Sequence, residues 1–213
     1  MNNVHTSRFN PLRTSHNGTK HAVFLDRDGT INVEKNYLYR IEDWEWIPGA
    51  AKAIRNFNEA GYLVVVVTNQ AGVARGLYSE EEVRTLHEFI DSKLAKEDAV
   101  IDAYYICPHH PDFGEQTNCD CRKPRPGMLL SAARDLCIDL ASSWLVGDKL
   151  SDIEAAEAAG VTPILVCTGY GQEDSLRLRA NIRLEKDLYA ASEYILLAQA
   201  NSLNKTEVKG MQK

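Results

Sequence analysis

His21-Ala22-Val23-Phe24-Leu25-Asp26-Arg27-Asp28-Gly29-Thr30 is the stretch on which the fold turns. A short apolar run ends abruptly in two aspartates one residue apart and a glycine. The run, residues 21–25, reads as a buried strand, and everything polar follows at its carboxyl end. The same grammar recurs downstream. Residues 62–67 form a second apolar, β-branched run that ends in Thr68-Asn69-Gln70-Ala71, and residues 101–106 form a third that ends at Cys107. Residues 144–146 run out into Gly147-Asp148-Lys149, and residues 163–166 form a fifth run. Strands apolar on both faces belong to parallel sheets covered by helices on each side.

Helical segments fill the intervals. Residues 48–60 carry Pro48 near the start and Gly61 just past the end, the usual asymmetry of helix termini. Ser79 with Glu82 three residues later has capping-box spacing and opens a helix to about Leu94. Residues 127–137 and 151–159 also read as helices, the latter started by Ser151 and closed by Gly160, and a last helix spans about 189–200. Alternating strands and helices predict one doubly wound, Rossmann-like α/β domain over residues 21–200, with ligands at the carboxyl ends of the strands. Residues 1–20 read as a disordered polar tail and residues 201–213 as a second polar tail. No segment has the form of a large cap domain.

Charge narrows the partners. Residues 1–20 hold Arg8, Arg13 and Lys20 without an acid, and residues 201–213 hold three lysines against Glu207. The net charge of −6 for the 213-residue chain is therefore −11 over residues 21–200, a poor surface for nucleic acid, whose binding rests on cationic contacts to phosphate. The longest apolar run, residues 62–67, is far short of the roughly 18 residues of a membrane span. The N-terminal stretch lacks the apolar core of a secretory signal. Five cysteines do not suggest a disulfide framework, so a cytoplasmic setting is expected. Cys137 and Cys167 read as buried thiols. No dimerisation stripe is evident, and a monomer is expected.

At the strand ends the residues carry chemistry. Asp26 and Asp28 repel unless a cation or a proton separates them, and a hard divalent ion with oxygen ligands would do so; an Asp/Gly-rich turn is the other reading. Thr68 and the backbone after it can hold phosphate oxygens or merely form a turn. Asp148 can complete a metal site, with Asp152 supporting it or capping the helix. Lys123 can neutralise a bound phosphoryl group or be a surface lysine. Cys107, His109, Cys119 and Cys121 are three thiols and an imidazole in two close pairs, which suits tetrahedral Zn²⁺; packed thiols are the alternative. Residues 107–126 have few apolar side chains to offset the entropy of ordering, and zinc would supply that order.

Taken together, DRDGTIN (26–32), VVVTNQAGVARG (65–76), CPHHP (107–111), CDCRKPRPGML (119–129) and VGDKLSD (146–152) closely resemble the haloacid dehalogenase superfamily of phosphohydrolases. Within it they resemble the histidinol-phosphatase-like group, which includes the heptose-bisphosphate phosphatases. The resemblance implies that Asp26 is the nucleophile, Asp28 the general acid and base, and Thr68 and Lys123 the holders of the transferred phosphoryl group. It implies Mg²⁺ at Asp26, Asp28 and Asp148 with Lys149 in the same loop, and Zn²⁺ at Cys107, His109, Cys119 and Cys121. It implies substrate contacts from Asp26, Arg27, Asp28, Glu34, Lys35, Asn36, Tyr37, Thr68, Asn69, Gln70, Ala71, Arg122, Lys123 and Lys149. The activity it implies is release of the 7-phosphate from D-glycero-D-manno-heptose 1,7-bisphosphate through an aspartyl-phosphate. Histidinol phosphate is the alternative substrate. A zinc-stabilised binding module without catalysis is disfavoured, because all five of Asp26, Asp28, Thr68, Lys123 and Asp148 are present.

Overall fold

The computed structural model describes residues 5–9 and 19–210. Its sheet has seven strands: β1 (His5–Phe9), β2 (Ala22–Leu25), β3 (Leu63–Asn69), β4 (Ala103–Cys107), β5 (Trp144–Gly147), β6 (Thr162–Val166) and β7 (Arg183–Glu185). Their order is β1-β4-β3-β2-β5-β6-β7. All neighbours are parallel except β1, which runs antiparallel to β4. The helices are α1 (Ala50–Glu59), α2 (Glu80–Leu94), α3 (Gly127–Leu136), α4 (Leu150–Ala159), the single turn α5 (Gly171–Asp174) and α6 (Leu188–Gly210). Among the described residues no helix is long and apolar enough to cross a membrane.

Alternation along the strands divides the core in two. Val23, Leu25, Val64, Val66, Val146 and Ile164 face α1, α2 and α6, where Ile54, Phe57, Leu86, Ile90 and Ile195 meet them. Ala22, Phe24, Val65, Val67, Tyr105 and Leu145 face α3 and α4. Each large apolar side chain so buried contributes roughly 1.5–3 kcal/mol relative to exposure. Cys107, Cys119 and Cys121 belong to this second cluster, so the cysteine loop is packed onto the core.

The helix signals hold where they rest on local chemistry. Ser79 Oγ accepts from Glu82 N at 3.2 Å, and Glu82 Oε2 accepts from Ser79 N at 2.8 Å, which is the capping box. The start of α4 differs from the expectation. Lys149, not Ser151, is its N-cap, and the Asp152 carboxylate accepts from Lys149 N at 3.0 Å.

Other expectations are corrected. Part of the predicted disordered tail, residues 5–9, is an edge strand on β4; edge pairing uses backbone groups and leaves no hydrophobic signature. The remainder of that tail through residue 18, and residues 211–213, lie outside the described residues. The last helix continues through Gly210 into the second predicted tail. β7, only three residues long, has no periodicity to read. Cys137 is exposed, because α3 ends at Leu136 and Cys137 takes the left-handed cap position with φ 55°. Cys167 is half-buried.

Candidate active site

Register sets the site. Leu25 lies beside Val66 of β3 and Val146 of β5, and Asp26 N donates to Val146 O at 3.0 Å. The three strands therefore deliver Asp26, Thr68 and Asp148 to one end of the sheet. The glycine of the first motif makes this possible: Gly29 has φ 84°, and a Cβ there would lie 2.1 Å from Asp148 Oδ2.

Lys123 occupies the centre. It is 3% exposed, and its Nζ donates to Val67 O at 2.7 Å while lying 2.9 Å from Asp26 Oδ1 and 2.6 Å from Asp152 Oδ1. One carbonyl and two carboxylates thus surround the ammonium, the carboxylates as ion-pair partners. Burial opposes charge on Asp26, but the attraction of Lys123 and Lys149 and the hydrogen bond from Arg27 N prevail and lower its pKa. It is held as a carboxylate, the nucleophilic form.

Asp148 behaves oppositely. Burial first, then the Asp26 charge, pushes it up to about 8, and Asp148 Oδ1 is buried and accepts no hydrogen bond among the described residues. Asp152, also lifted by burial, reaches about 6 despite Lys123. The carboxylate oxygens of Asp26, Asp148 and Asp152 approach within 4.8 Å of one another. This is an arrangement completed by a cation, and binding one displaces the proton that Asp148 otherwise retains.

Over these residues lies a cleft of about 530 Å³. Of the residues expected to meet substrate, Asp26, Asp28, Glu34, Asn36, Tyr37, Thr68, Asn69, Gln70, Ala71, Arg122, Lys123 and Lys149 line it. Two others do not. The Arg27 side chain is wholly buried against Asp28, and exposed Lys35 turns away to Glu45 Oε2 at 2.7 Å. The side chain of Lys149 is not suited to ligate a metal ion. Its Nζ sits 3.1 Å from Glu34 Oε2 and 3.9 Å from Asp148 Oδ1, and despite burial the charges of Asp26, Asp148 and Glu34 hold it protonated, without a lone pair.

Asn69 has a role that its motif did not reveal. Its Nδ2 donates to Lys123 O and its Oδ1 accepts from Lys123 N, both at 3.1 Å, clamping the lysine's backbone. The end of β6 is also part of the site. Tyr170 N donates to Asp148 Oδ2 at 2.8 Å, Thr168 Oγ1 donates to Gly29 O at 2.6 Å, and Tyr170 lines the cleft. Cys167-Thr168-Gly169-Tyr170 directly follows a predicted strand, and the strand-end rule applied there would have found it.

Behind Lys123 the cysteine loop closes on itself. Cys107 Sγ is 3.7 Å from His109 Nδ1, 3.7 Å from Cys119 Sγ and 3.3 Å from Cys121 Sγ, and His109 Nδ1 is 3.2 Å from Cys121 Sγ. Ligands about 2.0–2.3 Å from a tetrahedral zinc ion lie roughly 3.5–3.8 Å apart, a spacing that the two contacts at 3.7 Å meet and the two to Cys121 undercut by a few tenths of an ångström, so an ion would fit with a small opening at Cys121. The contact with Cys107, together with burial, pushes the Cys121 thiol far up, a cost that a bound cation removes. Arg122 Nη1 donates to His109 O at 3.1 Å, tying the loop to the cleft. Chelation of zinc is expected to raise hydrogen exchange over residues 107–126 and to lower kcat by at least about 10-fold, with the sheet intact. Full activity in verified zinc-free protein would refute a positioning role for the metal.

An ionised aspartate at the end of β2, a buried lysine beside it and three converging carboxylates on a doubly wound sheet are the arrangement of the haloacid dehalogenase class. Residues 120–191 match the HAD-hydrolase-like family model. The D-glycero-beta-D-manno-heptose-1,7-bisphosphate 7-phosphatase of Escherichia coli strain K12 is 51% identical over 152 residues, covering 70% of this chain and 80% of that protein. Its counterpart in Photorhabdus laumondii is 46% identical over 165 residues, 76% of this chain and 88% of that protein. The crystal structure of D,D-heptose 1,7-bisphosphate phosphatase from B. bronchiseptica, complexed with magnesium and phosphate, superposes with a TM-score of 0.77 at 38% identity, covering 84% of this chain and 99% of that one. The chain belongs to the heptose-1,7-bisphosphate 7-phosphatase family of the haloacid dehalogenase superfamily, and it is a phosphoric monoester hydrolase.

Proposed function

We propose that this enzyme removes the 7-phosphate of D-glycero-β-D-manno-heptose 1,7-bisphosphate in the making of nucleotide-activated heptose. The observation that carries the reading is the open cleft above Asp26, walled by Glu34, Asn36, Tyr37, residues 68–71 and the cysteine loop, in a chain 46–51% identical to enzymes named for that reaction. Its volume lies within the range of small-molecule sites. Histidinol phosphate is the less favoured substrate, because those relatives carry the heptose name.

Asp26 attacks phosphorus, a bond forms from its carboxylate oxygen, and the P–O bond to the sugar breaks. Asp28, protonated, gives its proton to the departing sugar oxygen. As a carboxylate it then takes a proton from the water that attacks the phosphorus, returning phosphate and free Asp26. Thr68 and Lys123 hold the phosphoryl oxygens, with the Lys123 charge 2.9 Å from the nucleophile. The Asp26 carboxylate, the Asp28 backbone carbonyl and Asp148 would hold magnesium, which lessens the repulsion between an anionic nucleophile and an anionic phosphate. Glu34, Asn36, Tyr37, Gln70, Ala71, Arg122 and Lys149 would meet the sugar and its second phosphate. With all five cysteines free, we assign the enzyme to the reducing cytoplasm, as a monomer.

A panel of both heptose bisphosphate anomers, histidinol phosphate and simple sugar phosphates, ranked by kcat/KM, tests the assignment. The β anomer is expected to lead histidinol phosphate by at least about 10²-fold, the margin available to a site built around polar groups of one substrate. A lead for histidinol phosphate would reverse the assignment.

A further inference from the structure

Asp28 is gripped from behind by groups that no substrate can reach. Arg27 Nη2 lies 2.8 Å from Asp28 Oδ2 and 3.0 Å from Oδ1, and Arg27 Nε lies 3.2 Å from Oδ1. The same guanidinium donates to Leu38 O at 2.9 Å, and its Nη1 lies 3.4 Å from His87 Nε2. His87 is 2% exposed and stacks on Tyr104 with ring centroids 4.2 Å apart. Arginine only donates, so Nε2 is the nitrogen without a proton. Burial and the Arg27 charge hold this imidazole neutral.

From the other sides, Asn32 Nδ2 donates to Asp28 Oδ1 at 3.0 Å and Gln70 Nε2 to Oδ2 at 3.1 Å. Tyr78 OH in turn fixes Gln70 Oε1 at 2.8 Å. Five contacts from three side chains fix the plane of the carboxylate, two of them sharing Arg27 Nη2, and Asp28 still lines the cleft. The charge of a buried arginine is costly unless paired, and Arg27 spends it on Asp28.

We propose that Arg27, braced by His87, is a positioning residue for proton transfer, which orients the Asp28 carboxylate toward the leaving-group oxygen and then toward the attacking water. This rests on the assignment of Asp28 as acid and base. The Arg27 side chain is buried and does not line the cleft.

The test compares two substrates in single-turnover release of the leaving group. A sugar phosphate loses an alkoxide that needs a proton as the P–O bond breaks, whereas p-nitrophenyl phosphate loses a stabilised phenolate that does not. Arg27→Gln is expected to slow release from heptose bisphosphate by about 10²-fold, the scale of a positioned general acid, and release of p-nitrophenolate by less than about 3-fold. His87→Leu should shift the two substrates in the same unequal way, and His87→Gln, which restores an acceptor, should recover most of the loss. These two variants decide the matter if Arg27→Gln does not fold. Equal losses on both substrates, or no difference between His87→Leu and His87→Gln, would overturn the proposal. Asp28→Asn is the control for the underlying assignment. If it lacks the unequal pattern, the acid–base role of Asp28 is wrong; if it has the pattern and Arg27→Gln does not, only this inference fails.

Discussion

Asp26→Asn is expected to abolish turnover, by about 10⁴-fold or more, the scale seen when a covalent nucleophile is removed. The amide is isosteric but has no anionic oxygen to attack phosphorus. The fold should survive, because Lys123 keeps Asp152 Oδ1 at 2.6 Å and Val67 O at 2.7 Å as partners. Removing one of three crowded carboxylates also relieves Asp148 and Asp152, both of which are raised in part by Asp26. Acid-quenched wild type mixed with labelled substrate should retain protein-bound phosphate, and the variant none. Phosphate release by the variant at the wild-type rate would remove Asp26 from the mechanism.

Lys123→Met is expected to damage both activity and stability. Loss of a buried cation that faces the reacting group costs about 10²–10³-fold in kcat. Loss of one partner from a buried ion pair costs about 3–5 kcal/mol of stability. The stability loss should depend on pH. Without Lys123, Asp26 loses the attraction that holds its pKa below the unfolded value of 3.8, and Asp152, already raised by burial, loses the attraction that limits its rise. The folded variant then binds protons that the unfolded chain has released. Its deficit relative to wild type grows as pH rises from the wild-type folded values, about 6 for Asp152, through the higher values of the variant. Melting curves without added magnesium should therefore show a smaller difference at pH 5 than at pH 8. A deficit equal at both, or none, would contradict the view that Lys123 holds the acidic cluster together.

The sequence and the structure agree most closely where a signal is local. Short apolar runs, the Ser79–Glu82 capping box and Gly160 as the α4 terminator each involve neighbours within a few residues, and all appear as read. Disagreement begins where backbone pairing alone decides, as at β1 and β7, because edge strands draw on hydrogen bonds that any side chain permits. Arg27 shows the same limit within the site. Its place between the two motif aspartates suggests a substrate contact, yet the side chain turns away from the cleft, to where Asp28, Leu38 and His87 receive it.

By itself the sequence determined the class of fold and singled out Asp26, Asp28 and the Cys107, His109, Cys119 and Cys121 group as candidates, because chemistry that acts at strand ends leaves its residues in short, recognisable strings. Only the tertiary structure decided that Asn69 clamps Lys123, that Tyr170 supports Asp148, and that the motif glycine at position 29 exists to admit the Asp148 carboxylate. Those pairs are separated by tens of residues or more. They meet because the parallel register brings the ends of β2, β3, β5 and β6 together, and no local spacing encodes that convergence.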